Sequence, residues 1–332
     1  MKKYLIFIFV ATLSSLIGLF VGLKLVSKSE VKETPKPAER TMDKYSIENL
    51  AKIQIPKGEI KVEKTLQENP TYTSYLFTHN FDPTLENKNE ASISGQLNVP
   101  KESSNFPVIV MVRGYVDKEI YQTGVGTQHA GEFFAQNGFI TIAPDFLGYG
   151  TSSPESKDVL ESRFQTYTTV LSILESLSSV QKWDQKNVFI WAHSNGGQIA
   201  LTTLTITGKS YPTVLWAPVS KPFPYSILYY TDELPDEGKY LRAQIAKFEN
   251  LYNVNLYSFD KYLDRIKAPI QVEQGTTDDA VPVKWTNDLV KRLKDKEVDV
   301  KYNTYEGSDH NLTPAWNEVV YKDILFFHNN TK

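Results

Sequence analysis

The chain changes its hydrophobic period along its length. Positions 71–78 alternate around Tyr75 and Phe77, and positions 91–99 around Ile93, Leu97 and Val99. A period of two marks half-buried strands. Asp82-Pro83 and the polar run 86–90 lie between them and supply turn chemistry, so the two segments predict an antiparallel hairpin closed by Pro100. Beyond Pro100 the alternation gives way to continuous apolar runs at 107–112, 139–143 and 188–192, as strands buried on both faces require. Between the first two, 130–136 carries Phe133 and Phe134 and stops at Asn137-Gly138, a helix end. Leu160, Phe164, Tyr167, Leu171, Leu174 and Leu177 recur at spacings of four and three, one stripe of a long amphipathic helix.

The third run breaks at Ser194-Asn195-Gly196-Gly197, and 198–207 then reads as a helix through Ile199, Ala200 and Leu204. Further strands are expected at 211–218, 270–274 and 298–305. Helices are expected around Trp285, Leu289 and Leu293 and over 316–327. An antiparallel start followed by strand–helix alternation predicts an α/β fold, with a mostly parallel central sheet and helices on both faces. The stretch 219–267 interrupts the alternation with helical and loop character and many aromatics, among them Phe223, Tyr229, Phe248 and Tyr257. An insertion there emerges at the carboxyl ends of the strands, where ligands bind in open α/β sheets, so it is expected to cap a site. For any one aromatic, packing the cap onto the body is the commoner use.

The amino terminus follows different rules. Lys2 and Lys3 precede an apolar run over 4–23, and Lys24 ends it. About 20 apolar residues match a bilayer's hydrocarbon thickness. A cleaved signal usually has a core of ~7–15 residues and a small-x-small site, and Lys24-Leu25-Val26-Ser27-Lys28 offers none. Segment 1–26 is therefore expected to be an uncleaved transmembrane signal anchor, with a cleaved secretion signal as the alternative. Segment 27–44, polar with Pro35 and Pro37, is expected to be a flexible stalk, and 45–332 the folded domain, placed outside the cytoplasm.

Composition removes several chemistries. The 332 residues carry a net charge of −3 and no basic stripe, so nucleic acid is not an expected partner. There is no cysteine, which excludes disulfides, thiolate metal sites, a Cys nucleophile and lipoprotein processing. No metal-binding motif or phosphate-cradling loop stands out, and no cofactor is implied.

What remains is nucleophilic chemistry. A buried strand, a tight turn bearing Ser194, and a helix make up the context of a nucleophile elbow, with small residues required nearby; Ala192 and Gly196 stand two residues either side. A Ser nucleophile needs a base, and the base needs a carboxylate. Of five histidines, His310 alone sits in a loop just past a strand's carboxyl end. His193 adjoins Ser194, but neighbours on such a turn are expected to point apart. Asp278 and Asp279 both follow a strand at the same sheet edge. An oxyanion hole needs two N–H groups, and Asn195, after the nucleophile, and Tyr115, in the loop after 108–112, are placed to give them. The order Ser194, Asp278 or Asp279, His310 is that of α/β hydrolases.

From Ser92 onward the chain resembles an α/β hydrolase, and more narrowly the catalytic domain of the prolyl oligopeptidase family of serine peptidases. Gly275-Thr276-Thr277-Asp278-Asp279-Ala280-Val281-Pro282 is similar to that family's acid loop, whose first Asp is the triad member; the resemblance implies Asp278. Gly307-Ser308-Asp309-His310 is similar to its base loop. Asp145-Phe146-Leu147-Gly148-Tyr149-Gly150-Thr151-Ser152 is similar to its Asp-x-Arg-Gly-x-Gly-x-Ser turn, with Leu147 where Arg is usual. Arg113 stands where the family commonly has His or Asn, Ala192 replaces the elbow's first Gly, and the residues before the domain are too few for a β-propeller. The resemblance implies a peptidase acting on small peptides. An esterase on small acyl esters is the alternative, and a non-catalytic surface-anchored binding protein the reading from another class.

Overall fold

The structure is a computed structural model that describes residues 39–332. The expected anchor and residues 27–38 of the expected stalk lie outside the described residues. Among the described residues no helix is long and apolar enough to cross a membrane.

One sheet holds the strands β1 (Ile60–Glu68), β2 (Tyr72–Phe81), β3 (Ala91–Pro100), β4 (Phe106–Val112), β5 (Ile140–Pro144), β6 (Trp183–His193), β7 (Thr213–Trp216), β8 (Ile270–Gly275) and β9 (Val300–Tyr305). Their order across it is β1-β2-β3-β5-β4-β6-β7-β8-β9. β1, β2 and β3 pair antiparallel, and so do β3 and β5. From β5 to β9 every pairing is parallel. The expected hairpin runs in unbroken register from Tyr72 opposite Pro100 to Phe81 opposite Ala91.

The continuous apolar runs are explained by two cores. In β4, Val108, Val110 and Val112 face one core, while Ile109 and Met111 face the other. The first core takes the stripe of the helix Val159–Ser176, including Leu160, Phe164, Tyr167 and Leu171, and the helix after the elbow, Asn195–Thr207. The second takes Phe134 from Gln128–Gln136 and Val319 and Phe327 from the last helix, Trp316–Asn329. Numbered in chain order with the short Ile47–Leu50, the helices so far are α1 (Ile47–Leu50), α2 (Gln128–Gln136), α3 (Val159–Ser176) and α4 (Asn195–Thr207). Then come α5 (Tyr225–Leu228), α6 (Lys239–Leu251), α7 (Val283–Asp295) and α8 (Trp316–Asn329).

Two features depart from the sequence pattern. β1 was not legible as a strand, because it is an edge strand exposed after its first residue. With neither face covered, its apolar positions shrink to Ile60, Val62 and Leu66, and its Lys and Glu residues suit an edge that must not recruit another chain. The packed body also begins earlier than position 45. Met42 is buried, its N–H donates to the Tyr252 hydroxyl at 3.2 Å, and its carbonyl accepts from the Tyr257 hydroxyl at 3.2 Å. A short polar turn gains these partners only from a distant part of the chain, so composition alone placed the boundary late.

Those two tyrosines belong to the insertion. Phe223, Phe248 and Tyr257 converge on Phe164 of α3 with ring centroids at 5.5, 5.8 and 5.2 Å, which fixes the insertion to the body. Tyr225, Tyr229 and Tyr240 remain exposed.

Candidate active site

β6 ends at His193 and α4 begins at Asn195, which leaves Ser194 alone at the turn. Its backbone has φ 55° and ψ −122°, a conformation that costs an L residue of order 1–3 kcal/mol and persists only where the surroundings impose it. Three backbone hydrogen bonds do so. The Ser194 N–H donates to the Trp216 carbonyl, and the Ser194 carbonyl accepts from the Gly197 and Val219 N–H groups, each at 2.9 Å. Two glycines let neighbouring backbone come close. A Cβ at Gly196 would lie 2.1 Å from the Val112 carbonyl oxygen, and one at Gly114 would lie 2.9 Å from Ser194 Cβ. The elbow therefore abuts the end of β4 and the loop that follows it.

The acid and base loops follow β8 and β9, which are neighbours in the sheet. His310 Nδ1 lies 3.0 Å from both carboxylate oxygens of Asp278. Asp278 Oδ1 also accepts from the Ala280 and Val281 N–H groups at 3.0 and 2.8 Å, and Oδ2 accepts from Gln274 Nε2 at 2.8 Å. Burial alone would raise the pKa of this side chain, but the hydrogen bonds from His310, Val281 and Gln274 and the His310 charge outweigh it, and the Asp278 pKa falls below its ordinary value. Asp279 is exposed and its carboxylate makes no hydrogen bond among the described residues. The two candidates left open by spacing are thus separated by geometry. Asp309 shapes the base loop, accepting from the Asn311 and Thr313 N–H groups at 2.9 Å each.

No hydrogen bond joins Ser194 Oγ to His310 Nε2 in this structure. The contact between their loops runs through His193. Its ring lies 4.7 Å from that of His310, and its Nε2 donates to the His310 carbonyl at 3.0 Å. Burial, and then the nearby His310, push the His193 pKa down to about 4, so it is neutral at neutral pH with its proton on Nε2. His193 thus braces the base loop, a role that its position beside Ser194 did not signal. Gln274 was also missed. It lies one residue before the end of β8; its Oε1 accepts from the Thr286 hydroxyl at 2.6 Å and its Nε2 also donates to the Gly275 carbonyl at 3.2 Å, which fixes which end faces Asp278.

The Tyr115 and Asn195 N–H groups lie on the two segments that meet at Ser194, and neither donates to an acceptor among the described residues. Arg113, just before Gly114, is buried. Its guanidinium donates to the Gly114 and Asp145 carbonyls at 2.9 Å each and lies 4.1 to 5.3 Å from the ring centres of Tyr149, Tyr121 and Phe146. A cavity of about 260 Å³ adjoins this region. Gly114, Tyr115, Asn195, Phe146 and, from the insertion, Ile227 and Leu241 line it, whereas Ser194 and His310 lie outside its lining. Two residues of the insertion thus reach the space beside the elbow. Among the described residues no cluster of His, Asp and Glu could hold a metal ion.

The model of the prolyl oligopeptidase family matches residues 126–331. The acetyl esterase Axe7A of Xylanibacter ruminicola is 25% identical over 215 residues, covering 58% of this chain and 47% of that protein. The match therefore spans about half the length of that relative. The acetyl xylan esterase of Paenibacillus sp. R4 superposes with a TM-score of 0.62 at 16% identity, covering 84% of this chain and 91% of that one. A puromycin-hydrolyzing peptidase of Mycobacterium tuberculosis superposes with a TM-score of 0.55 at 17% identity, covering 82% of this chain but 39% of its own. These similarities to solved structures show the α/β-hydrolase fold, and no β-propeller is present among the described residues. Because the family model covers more than half of its length, the chain belongs to the prolyl oligopeptidase family.

Proposed function

We propose that this protein is a serine hydrolase, an esterase that removes small acyl groups, with Ser194 as nucleophile, His310 as base and Asp278 as the carboxylate that orients it. The observation that carries the assignment is the Asp278–His310 pair, fixed on loops beside the one strained residue between β6 and α4. Ser194 Oγ attacks the acyl carbon while His310 Nε2 takes its proton. The Tyr115 and Asn195 N–H groups receive the negative charge that develops on the acyl oxygen. As that intermediate collapses, His310 returns the proton to the leaving alcohol and an acyl-enzyme forms. Water then attacks the acyl-enzyme by the same route and releases the acid. Asp278 keeps the remaining ring proton on Nδ1, so Nε2 is free to accept.

Two observations favour esters over peptides. The sequence relative is an acetyl esterase. The cavity, about 260 Å³, lies just below the ~300–1,000 Å³ of pockets that take drug-sized ligands, which suits a short acyl group. The peptidase reading keeps the support of the family's acid-loop and base-loop motifs. A panel that pairs acetyl and butyryl esters with aminoacyl and prolyl amides bearing the same chromophore tests the choice. We expect kcat/KM for the acetyl ester to exceed that for every amide by at least 100-fold. Faster amide cleavage would restore the peptidase assignment.

We further propose that 4–23 anchors the enzyme with its catalytic domain outside the cytoplasm. Burial of an apolar helix is not weakened by salt, so the full-length protein should stay with membranes through high-salt and alkaline washes. A mature amino terminus beyond Val26 would replace the anchor with a secretion signal.

A further inference from the structure

We propose that Arg113 is a positioning residue for the oxyanion hole, holding the peptide that presents the Tyr115 N–H. This rests on the assignment of that N–H above. Two departures from the family pattern were noted in the sequence: Arg113 where His or Asn is common, and Leu147 where the turn usually has Arg. In the structure they meet at one cavity. The turn that begins at Asp145 has lost its own guanidinium, yet it holds one. Arg113 enters from β4, donates to the Asp145 carbonyl at 2.9 Å and stacks among Phe146, Tyr149 and Tyr121.

The second bond of this guanidinium gives it a catalytic consequence. It goes to the Gly114 carbonyl, also at 2.9 Å. That carbonyl and the Tyr115 N–H are the two ends of one peptide unit. The unit is planar and trans, so they point in opposite directions. Fixing the oxygen fixes the direction of the N–H. Gly114 could otherwise let this unit rotate, since it lacks a side chain and sits against Ser194. A bond from a cation also polarises the amide, which makes its N–H a better donor.

The guanidinium is itself locked. It is buried and has no carboxylate within 4.0 Å among the described residues. The Asp145 carboxylate is occupied elsewhere, accepting from the hydroxyls of Ser94, Tyr121 and Thr123. Three rings and two carbonyls therefore set the position of Arg113. A Lys could supply the charge but not a planar fork that reaches two carbonyls and stacks on rings.

The test uses full-length protein in detergent and a neutral acetyl ester. Loss of one oxyanion donor costs about 10²–10³ in kcat, and a donor loosened rather than removed should cost less. We expect Arg113→Met to lower kcat by about 10–100-fold with KM within about 3-fold, and Arg113→Lys to lower it by about 5–30-fold. Affinity for a trifluoromethyl ketone, which places an oxyanion in the hole, should weaken across the variants in proportion to kcat/KM. A role confined to folding would lower the thermal midpoint and the fraction of titratable active sites, without that proportionality. Should Arg113→Met fail to fold, Arg113→Lys decides. The proposal is overturned if the folded variants keep kcat within 3-fold of the parent, or if the loss lies wholly in KM. Tyr115→Pro, which removes the N–H itself, separates the two assignments. If it stays active, the oxyanion assignment falls and this inference falls with it. If it is inactive while the Arg113 variants are not, only the inference falls.

Discussion

Replacing Asp278 with Asn should separate catalysis from stability, and the hydrogen bonds show why. Oδ1 accepts from the Ala280 and Val281 N–H groups, so an oxygen must remain there. The new NH2 is therefore forced to the Oδ2 position, which now faces Gln274 Nε2 and His310 Nδ1. Gln274 cannot turn its amide to accept, because its Nε2 also donates to the Gly275 carbonyl at 3.2 Å, a group that only accepts. His310 Nδ1 lies 3.0 Å from both positions, and the new NH2 at the Oδ2 position favours it as an acceptor, which moves its proton to Nε2. A ring protonated at Nε2 cannot take the proton of Ser194. The expected loss in kcat is about 10⁴-fold, the scale found for a wrong base tautomer in triad enzymes. The stability cost should be smaller, about 1–3 kcal/mol for one compromised buried donor. Asp279→Asn, at an exposed carboxylate without a partner, should change kcat by less than about 2-fold. Turnover of both variants on an acetyl ester, with thermal midpoints, checks the pair, and the ¹⁵N shifts of His310 would report the tautomer directly. Asp278→Asn within about 10-fold of the parent, or Asp279→Asn the more damaged of the two, would refute the reasoning.

The other expectations concern the nucleophile, the elbow and the core. Ser194→Ala should lower kcat by on the order of 10⁴-fold or more and abolish labelling by a fluorophosphonate, with the thermal midpoint unchanged or raised by relief of side-chain constraint. Gly196→Ala must displace β4 at the Val112 carbonyl; we expect it to lose about 1–3 kcal/mol in denaturant titrations and, because β4 leads to Gly114, to lose activity as well. Glu273 is buried beneath α8, and burial pushes its pKa up from 4.5 to about 7 despite bonds from Tyr305 and Asn303. Asp323 nearby is pushed up by burial and then by Glu273. A raised folded-state value means the folded chain holds the proton more tightly, so this contribution to stability is complete below about pH 4.5 and is lost as pH rises through about 7. Thermal midpoints should accordingly fall across that window, and Glu273→Gln should flatten the fall; an unchanged pH profile would count against it.

The elements that place the candidate site were legible because each is signalled locally. A run buried on both faces, a turn too tight for large side chains and an acid or base just past a strand end leave marks within a few residues of one another. Ser194, Asp278 and His310 could be named on that basis, and the resemblance separated Asp278 from Asp279. What stayed hidden depends on contacts between distant segments. β1 carries Ile60, Val62 and Leu66 among charged and polar residues, a weak signal, because neither of its faces is covered. The packing of Met42 depends on tyrosines at 252 and 257. The brace from His193 depends on where the loop after β9 comes to lie, and Arg113 makes sense only beside a turn that begins at Asp145.

The position of β9 has a consequence for how this enzyme fails. β9 is the outermost strand on its side and is only partly buried, whereas Ser194 follows β6, well inside the sheet. An outer strand has one hydrogen-bonded neighbour, so it frays at lower free energy than the centre. The base loop is fastened chiefly to the acid loop, through Thr277 bonds to the Ser308 carbonyl and the Gly307 N–H bond to Thr276. Fraying at this margin would thus withdraw His310 while the tryptophans of the interior, Trp191 and Trp216, remain packed. Catalytic activity then becomes a gauge of one margin of the molecule, lost at lower denaturant than the fluorescence that follows the interior.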